Sequence, residues 1–378
     1  MKDTLISTVG ASLENNINKK QGEYKSLYDS NRLEDLAMML LNPKIIQEDE
    51  RLLGAEINSI ESIIKEGYID EMKNLYLLVS DTETGRKIGK ILKYYFENSK
   101  NNSFERVTVK VTEKLDDQRK EEFTRYGLRN LVRNMAEILK KHGFSTIINA
   151  TGGYKAQIAF ALALGQGMNI PVYYLFERFP AVIKLPPLPL SLDYLLYIDY
   201  IYFIDQFDEE GFIEFNEDVK NQYKTIDEKL IPLFDIQSID RKKYIELNPM
   251  GQVFVESAKH YFNISKKEQI SLLPRSKELI FQGSKVEAHS QEIIAKYNIN
   301  KKFEQLPFVE KVYVKGSSTA ERSGKKSKVK ILGNEIKASI CTNDGILDLG
   351  IQVTARNNEE MILAKEIIYD FVNSSFWD

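Results

Sequence analysis

Short apolar runs alternate with longer segments of helical periodicity through the first half of the chain. The runs at 5–9, 74–80, 106–111, 146–149 and 172–176 are too short for helices and rich in β-branched residues, so they predict buried strands. Between them apolar positions recur at helical spacing, notably over 128–141 and 156–165. This alternation over 1–185 predicts an α/β fold, a doubly wound parallel sheet. It stops where Lys184-Leu-Pro-Pro-Leu-Pro-Leu190 places three prolines in four positions. A mainly helical pattern follows over 192–207, and a short strand from Lys243 precedes Asn248-Pro249, which opens a helix. Helical patterns return over 285–297 and 301–310. The stretch from Gly316 to Lys326 is basic, rich in small residues and expected to be flexible. Strands are predicted at 328–331, 335–340 and 346–353, and a closing amphipathic helix at 359–372. Helices followed by a small antiparallel sheet predict an α+β fold for 266–378. Three segments result: 1–185, 186–265 and 266–378.

Composition narrows the classes. At 378 residues the chain is long for one hydrophobic core, which agrees with several domains. A formal charge of −3 gives no global attraction to nucleic acid, so any such contact must be local. The one cysteine, Cys341, excludes an internal disulfide and a cysteine-rich zinc site, and suits a reducing cytoplasm. The N-terminus enters a strand after two polar residues, so no signal peptide is expected. Charges interrupt every long apolar stretch, so none is expected to span a membrane.

Two polar turns carry the first candidate chemistry. In Thr146-Ile-Ile-Asn-Ala-Thr-Gly-Gly-Tyr-Lys-Ala156 a strand ends at Asn149, and Thr151, Gly152 and Gly153 lead into a helix N-terminus beside Lys155. Free N–H groups and the helix dipole favour an anion at such a place. The GxxxxGK[ST] and GxGxxG spellings are both absent. In Thr4-Leu-Ile-Ser-Thr-Val-Gly-Ala-Ser-Leu-Glu-Asn-Asn16 another strand precedes Gly10, Ser12, Asn15 and Asn16. Both turns would open beyond the carboxyl ends of a parallel sheet, where such sheets bind ligands. The Ser80-Asp-Thr-Glu-Thr-Gly85 loop opens on the same rim, and its acids serve equally well as helix caps.

Together the spellings TVGASLENN and NATGGYK resemble the CARF (Rossmann-like) domain of CRISPR-associated sensor proteins. The resemblance implies a homodimer that binds a cyclic oligoadenylate across its two-fold axis, with cyclic tetra-adenylate as allosteric activator and no other cofactor. Thr8, Gly10, Ser12, Asn15 and Asn16 would line one side. Asn149, Thr151, Gly152, Gly153 and Lys155 would line the other. Related domains sometimes degrade their ligand slowly, and Ser12 and Lys155 would be the residues concerned; binding alone is the simpler expectation.

The proline-rich exit at 184–190 fits that resemblance, and the segment after it looks like the end of a winged helix-turn-helix domain. DNA binding is disfavoured there, because Asp199, Asp205, Asp208, Glu209, Glu210, Glu214, Glu217 and Asp218 crowd a segment in which phosphate contact needs clustered Lys and Arg. A spacer or dimerisation module is expected. The alternative is a ligand-responsive winged-helix transcription regulator.

In the last segment, Lys328 and Lys330 fall on one face of a strand, Lys337 follows on the next, and Arg356 ends the third. Four cations on one small sheet suit a phosphodiester that gains charge in the transition state, although a solvated face would look the same. The order K-x-K, a further basic residue, then V-x-x-R resembles RelE-type ribonucleases, which cut messenger RNA in the ribosomal A site without metal. The resemblance implies attack by the 2′-hydroxyl, with Lys328 or Lys330 as base and Lys337 and Arg356 holding the phosphate. In that family an aromatic residue often follows the arginine closely; here the next is Tyr369. A metal-dependent nuclease of the PD-(D/E)xK kind is the rival, because Glu335-Ile-Lys337 spells E-x-K. No acid precedes it between Lys328 and Asn334, however, and Asp344 and Asp348 come after it. A HEPN ribonuclease needs R-x4–6-H, which none of His142, His260 and His289 completes; His289 is expected to be solvated. The reading is a cytoplasmic, cyclic-oligoadenylate-activated effector that cleaves ribosome-bound mRNA.

Overall fold

The computed structural model describes residues 1–42, 50–176, 179–189, 192–207, 212–262, 271–282, 287–319 and 327–373. They form two compact units. The first comprises Met1–Leu192, Pro232–Asp235 and Leu247–Ala258; the second comprises Asp193–Ile231, Ile236–Glu246 and Lys259–Asp378. The middle of the sequence is thus shared between them.

The first unit is built on β1 (Thr4–Thr8), β2 (Asn74–Ser80), β3 (Arg106–Thr112), β4 (Thr146–Asn149), β5 (Val172–Tyr174) and β6 (Ile183–Leu185), in the order β3-β2-β1-β4-β5-β6. Neighbours are parallel except β6, which is antiparallel to β5. The strand order reverses between β1 and β4, whose registers start at Thr4 opposite Thr146.

Alternation along these strands builds two cores. Leu5, Leu75, Leu77, Val79 and Ile147 face one core, with Leu13 and Ile17 of the helix Ser12–Lys20, Ile57 and Ile60 of Gly54–Lys65, and Ile88 and Leu92 of Glu83–Asn98. Ile6, Tyr76, Leu78 and Ile148 face the other, with Leu131 and Met135 of Leu128–His142 and Ala161 and Leu164 of Lys155–Gly167. Both faces are covered, which is why β2 reads as a nearly unbroken apolar run, whereas the edge strand β3 alternates. Each such Leu or Ile contributes roughly 1.5–3 kcal/mol by burial.

In the second unit a three-stranded sheet has the order β7-β9-β8, from β7 (Phe212–Glu214), β8 (Phe234–Ile239) and β9 (Lys242–Leu247). A larger sheet has the order β10-β11-β14-β13-β12, from β10 (Ile280–Gln282), β11 (Val309–Ser318), β12 (Lys328–Leu332), β13 (Glu335–Thr342) and β14 (Gly345–Val353). β10 runs parallel to β11 and the remaining pairs are antiparallel. Val312, Val329, Ile331, Ile336, Ala338, Ile340, Leu347, Leu349 and Ile351 are buried on one face. The helix Ala288–Lys296 packs against β11 and β14, and Asn358–Val372 packs against β12.

Three expectations need correction here. The helix expected over 301–310 is Ile299–Glu304, and β11 begins at Val309, with Gly316 to Ser318 as its end. Of the basic stretch expected to be flexible, Gly316 to Ser318 is thus strand, and 320–326 lie outside the described residues. Register shifts between Val309 and Lys311 and between Val314 and Gly316 interrupt the two-residue repeat, which hides this strand from pattern reading. The imidazole of His289 is not solvated at Nε2, which is buried beside Gly345.

A buried ion pair ties the second unit together. Lys365 Nζ lies 2.7 Å from Asp205 Oδ1, with the side chains 5% and 1% exposed. Asp205 Oδ2 also accepts the Ile331 N–H on the edge strand β12 at 3.1 Å. One carboxylate thereby satisfies an edge donor and neutralises an ammonium.

Candidate functional site

The β1 and β4 turns interlock backbone to backbone. A Cβ on Gly10 would lie 2.5 Å from Gly153 N, and one on Gly152 would lie 2.6 Å from Thr8 O. Gly153 has φ +100, and a Cβ there would collide with the Gln157 carboxamide, whose Oε1 accepts the Tyr154 N–H at 2.6 Å. Only glycine fits these positions, so the two motifs that the sequence singled out form one surface at the strand-order reversal.

Thr8 and Asn149 support that surface from below. Both are fully buried. Thr8 donates from Oγ1 to Gly152 O at 2.5 Å. Asn149 donates from Nδ2 to Ser7 Oγ and Ser59 Oγ, and its Oδ1 accepts the Thr151 hydroxyl at 2.6 Å. Thr151 Oγ1 in turn accepts the Leu175 N–H. Asn15 and Lys155 are exposed, and Ser12, Asn16, Thr151 and Gly153 are half-buried.

At the β1 turn an internal carboxylate takes the helix donors. Glu56 is fully buried, and its Oε1 accepts the N–H of Gly10 at 3.1 Å and of Ser12 at 3.4 Å. Ser12 Oγ accepts the Ala55 N–H at 2.7 Å. Burial pushes the Glu56 carboxyl up despite these bonds, and no hydrogen bond reaches its Oε2 among the described residues. That leaves the β4 turn as the candidate anion-binding end. There Lys155 and Ala156 open a 13-residue helix whose dipole favours negative charge, and Lys155 adds its own cation.

Beside the turns lies a cavity of about 330 Å³, lined by Val9, Gly10, Ala11, Glu14, Ser80, Thr82, Thr84, Asp117, Gln118, Gly153 and Tyr154. Thr82 caps the helix Glu83–Asn98 by accepting the Gly85 N–H at 3.0 Å, so neither Asp81 nor Glu83 is the cap. Glu14 Oε1 accepts the Tyr28 hydroxyl at 2.6 Å and the Thr84 hydroxyl at 3.1 Å. The Tyr154 hydroxyl is pushed up to about 12, first by burial and then by its hydrogen bond to Asp117. This wall offers carboxylates and hydroxyls, which accept from amino and hydroxyl groups of a ligand. Asp117 and Gln118 escaped sequence reading because only the fold brings their loop to this rim, whereas Glu14 and Tyr154 lie within the two motifs without having been singled out.

In the second unit the larger sheet turns a polar face outward. Lys330 pairs across strands with Lys337, Lys337 with Gly350, and Gly350 with Tyr313. The next row runs Lys328, Ser339, Asp348 and Gly316. Lys328, Lys330 and Lys337 thus share one face. Arg356 lies beyond the end of β14, its Nε bonded to Glu360 Oε1 at 2.9 Å and its Nη2 to the same carboxylate. That pairing holds the Glu360 carboxyl below its ordinary range. Tyr313 was not singled out by sequence, although its ring lies directly over Gly350. Among the described residues no group of three or more His, Cys, Asp and Glu is placed to hold a metal. Nor is any helix among them long and apolar enough to cross a membrane.

Residues 51–188 match the family model of the CRISPR-associated protein Cas_APE2256. That span includes β2 to β6, the Gly152–Gly153 turn and most of the cavity wall. A solved structure, Can2 from Sulfobacillus thermosulfidooxidans in complex with cyclic tetra-adenylate (cA4), aligns at 11% identity over 99% of this chain and 85% of that chain, with a TM-score of 0.24. That score is too low to establish a common fold. Among curated protein sequences none matches the chain.

Proposed function

We propose that the chain is a cyclic-oligoadenylate-responsive CRISPR effector whose second unit cleaves ribosome-bound mRNA by metal-independent 2′-hydroxyl attack. The observation that carries the reading is the interlocked pair of glycine turns at the strand-order reversal, the later of them inside the segment matched to a CRISPR-associated family. Two copies of the first unit, facing each other across a two-fold axis, would hold a cyclic tetra-adenylate. Its phosphates would lie at Lys155 and the first turn of its helix. Its amino and hydroxyl groups would meet the carboxylate-lined cavity. Binding must favour an active arrangement over an inactive one, or it switches nothing.

On the second unit, Lys328, Lys330 and Lys337 would neutralise the scissile phosphate as it gains charge. Arg356 is held by Glu360, so a phosphate reaching it would compete with that carboxylate. A metal-dependent nuclease is the second reading, favoured by Asp348 sharing a face with Glu335 and Lys337.

A translation assay with purified protein tests the proposal, with and without cyclic tetra-adenylate and with mRNA ends mapped by primer extension. Ligand-dependent cuts within translated codons, lost in Lys337→Ala and kept in Asp348→Asn, are expected. Uncut mRNA would remove the ribonuclease assignment, and cuts lost in Asp348→Asn would favour the metal nuclease.

A further inference from the structure

Cleavage by 2′-hydroxyl attack needs a proton acceptor as well as cations. A protonated lysine has three donors and no acceptor, so a face of lysines supplies only half of the chemistry. On the strand that carries Lys337, Glu335 stands two residues earlier and therefore on the same face. Its carboxylate accepts the Tyr313 hydroxyl at Oε2 and the Lys315 ammonium at Oε1. Its side chain is 21% exposed, so solvent and substrate still reach it. Another carboxylate of this face, Asp348, is bonded by the Ser339 hydroxyl in the neighbouring row.

How Tyr313 reaches Glu335 is informative. The two residues are on β11 and β13, with β14 between them. The tyrosine spans that strand by lying over Gly350, where a Cβ would sit 2.3 Å from Tyr313 Cζ. Lys311 and Lys315 place their ammonium groups 5.8 and 5.5 Å from the ring centroid. A side chain carried across a glycine gap and held by cations fixes the carboxylate beside Lys337.

We propose that Glu335 is the proton acceptor of this face and that Tyr313 is its positioning residue, an assignment that rests on the ribonuclease reading. Glu335 takes the proton of the 2′-hydroxyl as that oxygen bonds to phosphorus. The bond from phosphorus to the 5′-oxygen breaks, and the ammonium of Lys330 or Lys337 protonates the leaving oxygen. The products are a 2′,3′-cyclic phosphate and a 5′-hydroxyl. The proton on Glu335 then returns to the neutral lysine through solvent. This moves the role of base from Lys328 or Lys330 to a carboxylate.

The test is single-turnover cleavage of mRNA in isolated stalled-ribosome complexes, with the full chain and cyclic tetra-adenylate, followed as a function of pH. In the wild type the rate is expected to climb with pH along an acidic limb and then level. Glu335→Gln should lower the plateau by about a hundredfold or more and abolish the limb. Glu335→Asp, which keeps the charge, should retain the limb at an intermediate rate and guards against a folding defect in the amide variant. Tyr313→Phe, which keeps the ring but loses the hydroxyl bond, should displace the limb. Wild-type rate and profile in Glu335→Gln would overturn the assignment of Glu335 alone. Absence of cleavage by the wild type would instead remove the ribonuclease reading and this inference with it.

Discussion

Gly10 and Gly153 meet at the strand-order reversal so closely that a Cβ on the first would lie 2.5 Å from the backbone nitrogen of the second. Neither atom belongs to a flexible side chain, so neither can step aside. Gly10→Ala must push the turns apart, at a cost on the order of 1–3 kcal/mol. Urea unfolding of the full chain should show that loss, and binding of an anionic ligand at Lys155 should weaken in the same variant. Unchanged stability would mean that the turns are not in contact.

Glu56 makes stability depend on pH in a defined direction. Burial raises its carboxyl in the folded state, so its contribution is fully present below the unfolded value of about 4.3 and is lost as pH rises through the folded value. Glu56→Gln keeps an acceptor for the Gly10 and Ser12 N–H groups and does not titrate. The unfolding free energy of the variant relative to wild type should therefore increase as pH rises from about 4 and level once Glu56 is ionised in both states. Denaturant titrations at several pH values check this; a flat difference would contradict it.

In the second unit, Asp205→Asn should be among the costliest single changes. It removes the Asp205 charge from its buried pair with the Lys365 ammonium, and breaking such a pair typically costs about 3–5 kcal/mol. Replacing both members by apolar residues should recover part of that loss, though not all, because the Ile331 N–H also loses its acceptor. Urea midpoints of the single and double variants measure the difference.

How much of this was legible in the sequence depended on whether neighbours in the chain are neighbours in space. The strands at 74–80 and 146–149 are found where the apolar runs predict them, because helices cover both faces and leave no polar alternation. The two glycine turns were legible because their spelling is local. β11 was not, since two register shifts break its repeat and lysines interrupt it. Glu56 looks like any acid in the first turn of a helix, and only the fold brings it under Gly10 and Ser12. The row Lys330, Lys337, Gly350 and Tyr313 crosses four strands, so no stretch of sequence spells it.

The most direct test of the account is a calorimetric titration of the full chain with cyclic tetra-adenylate, repeated with Lys155→Ala. Lys155 is exposed, so its removal should leave the fold intact. Saturable binding to the wild type, weakened about tenfold or more in the variant, is the predicted result, a difference of roughly 1.4 kcal/mol. No binding of cyclic tetra- or hexa-adenylate, or equal binding by both proteins, would contradict the assignment of the β4 turn as the anion-binding end of a cyclic-oligoadenylate site.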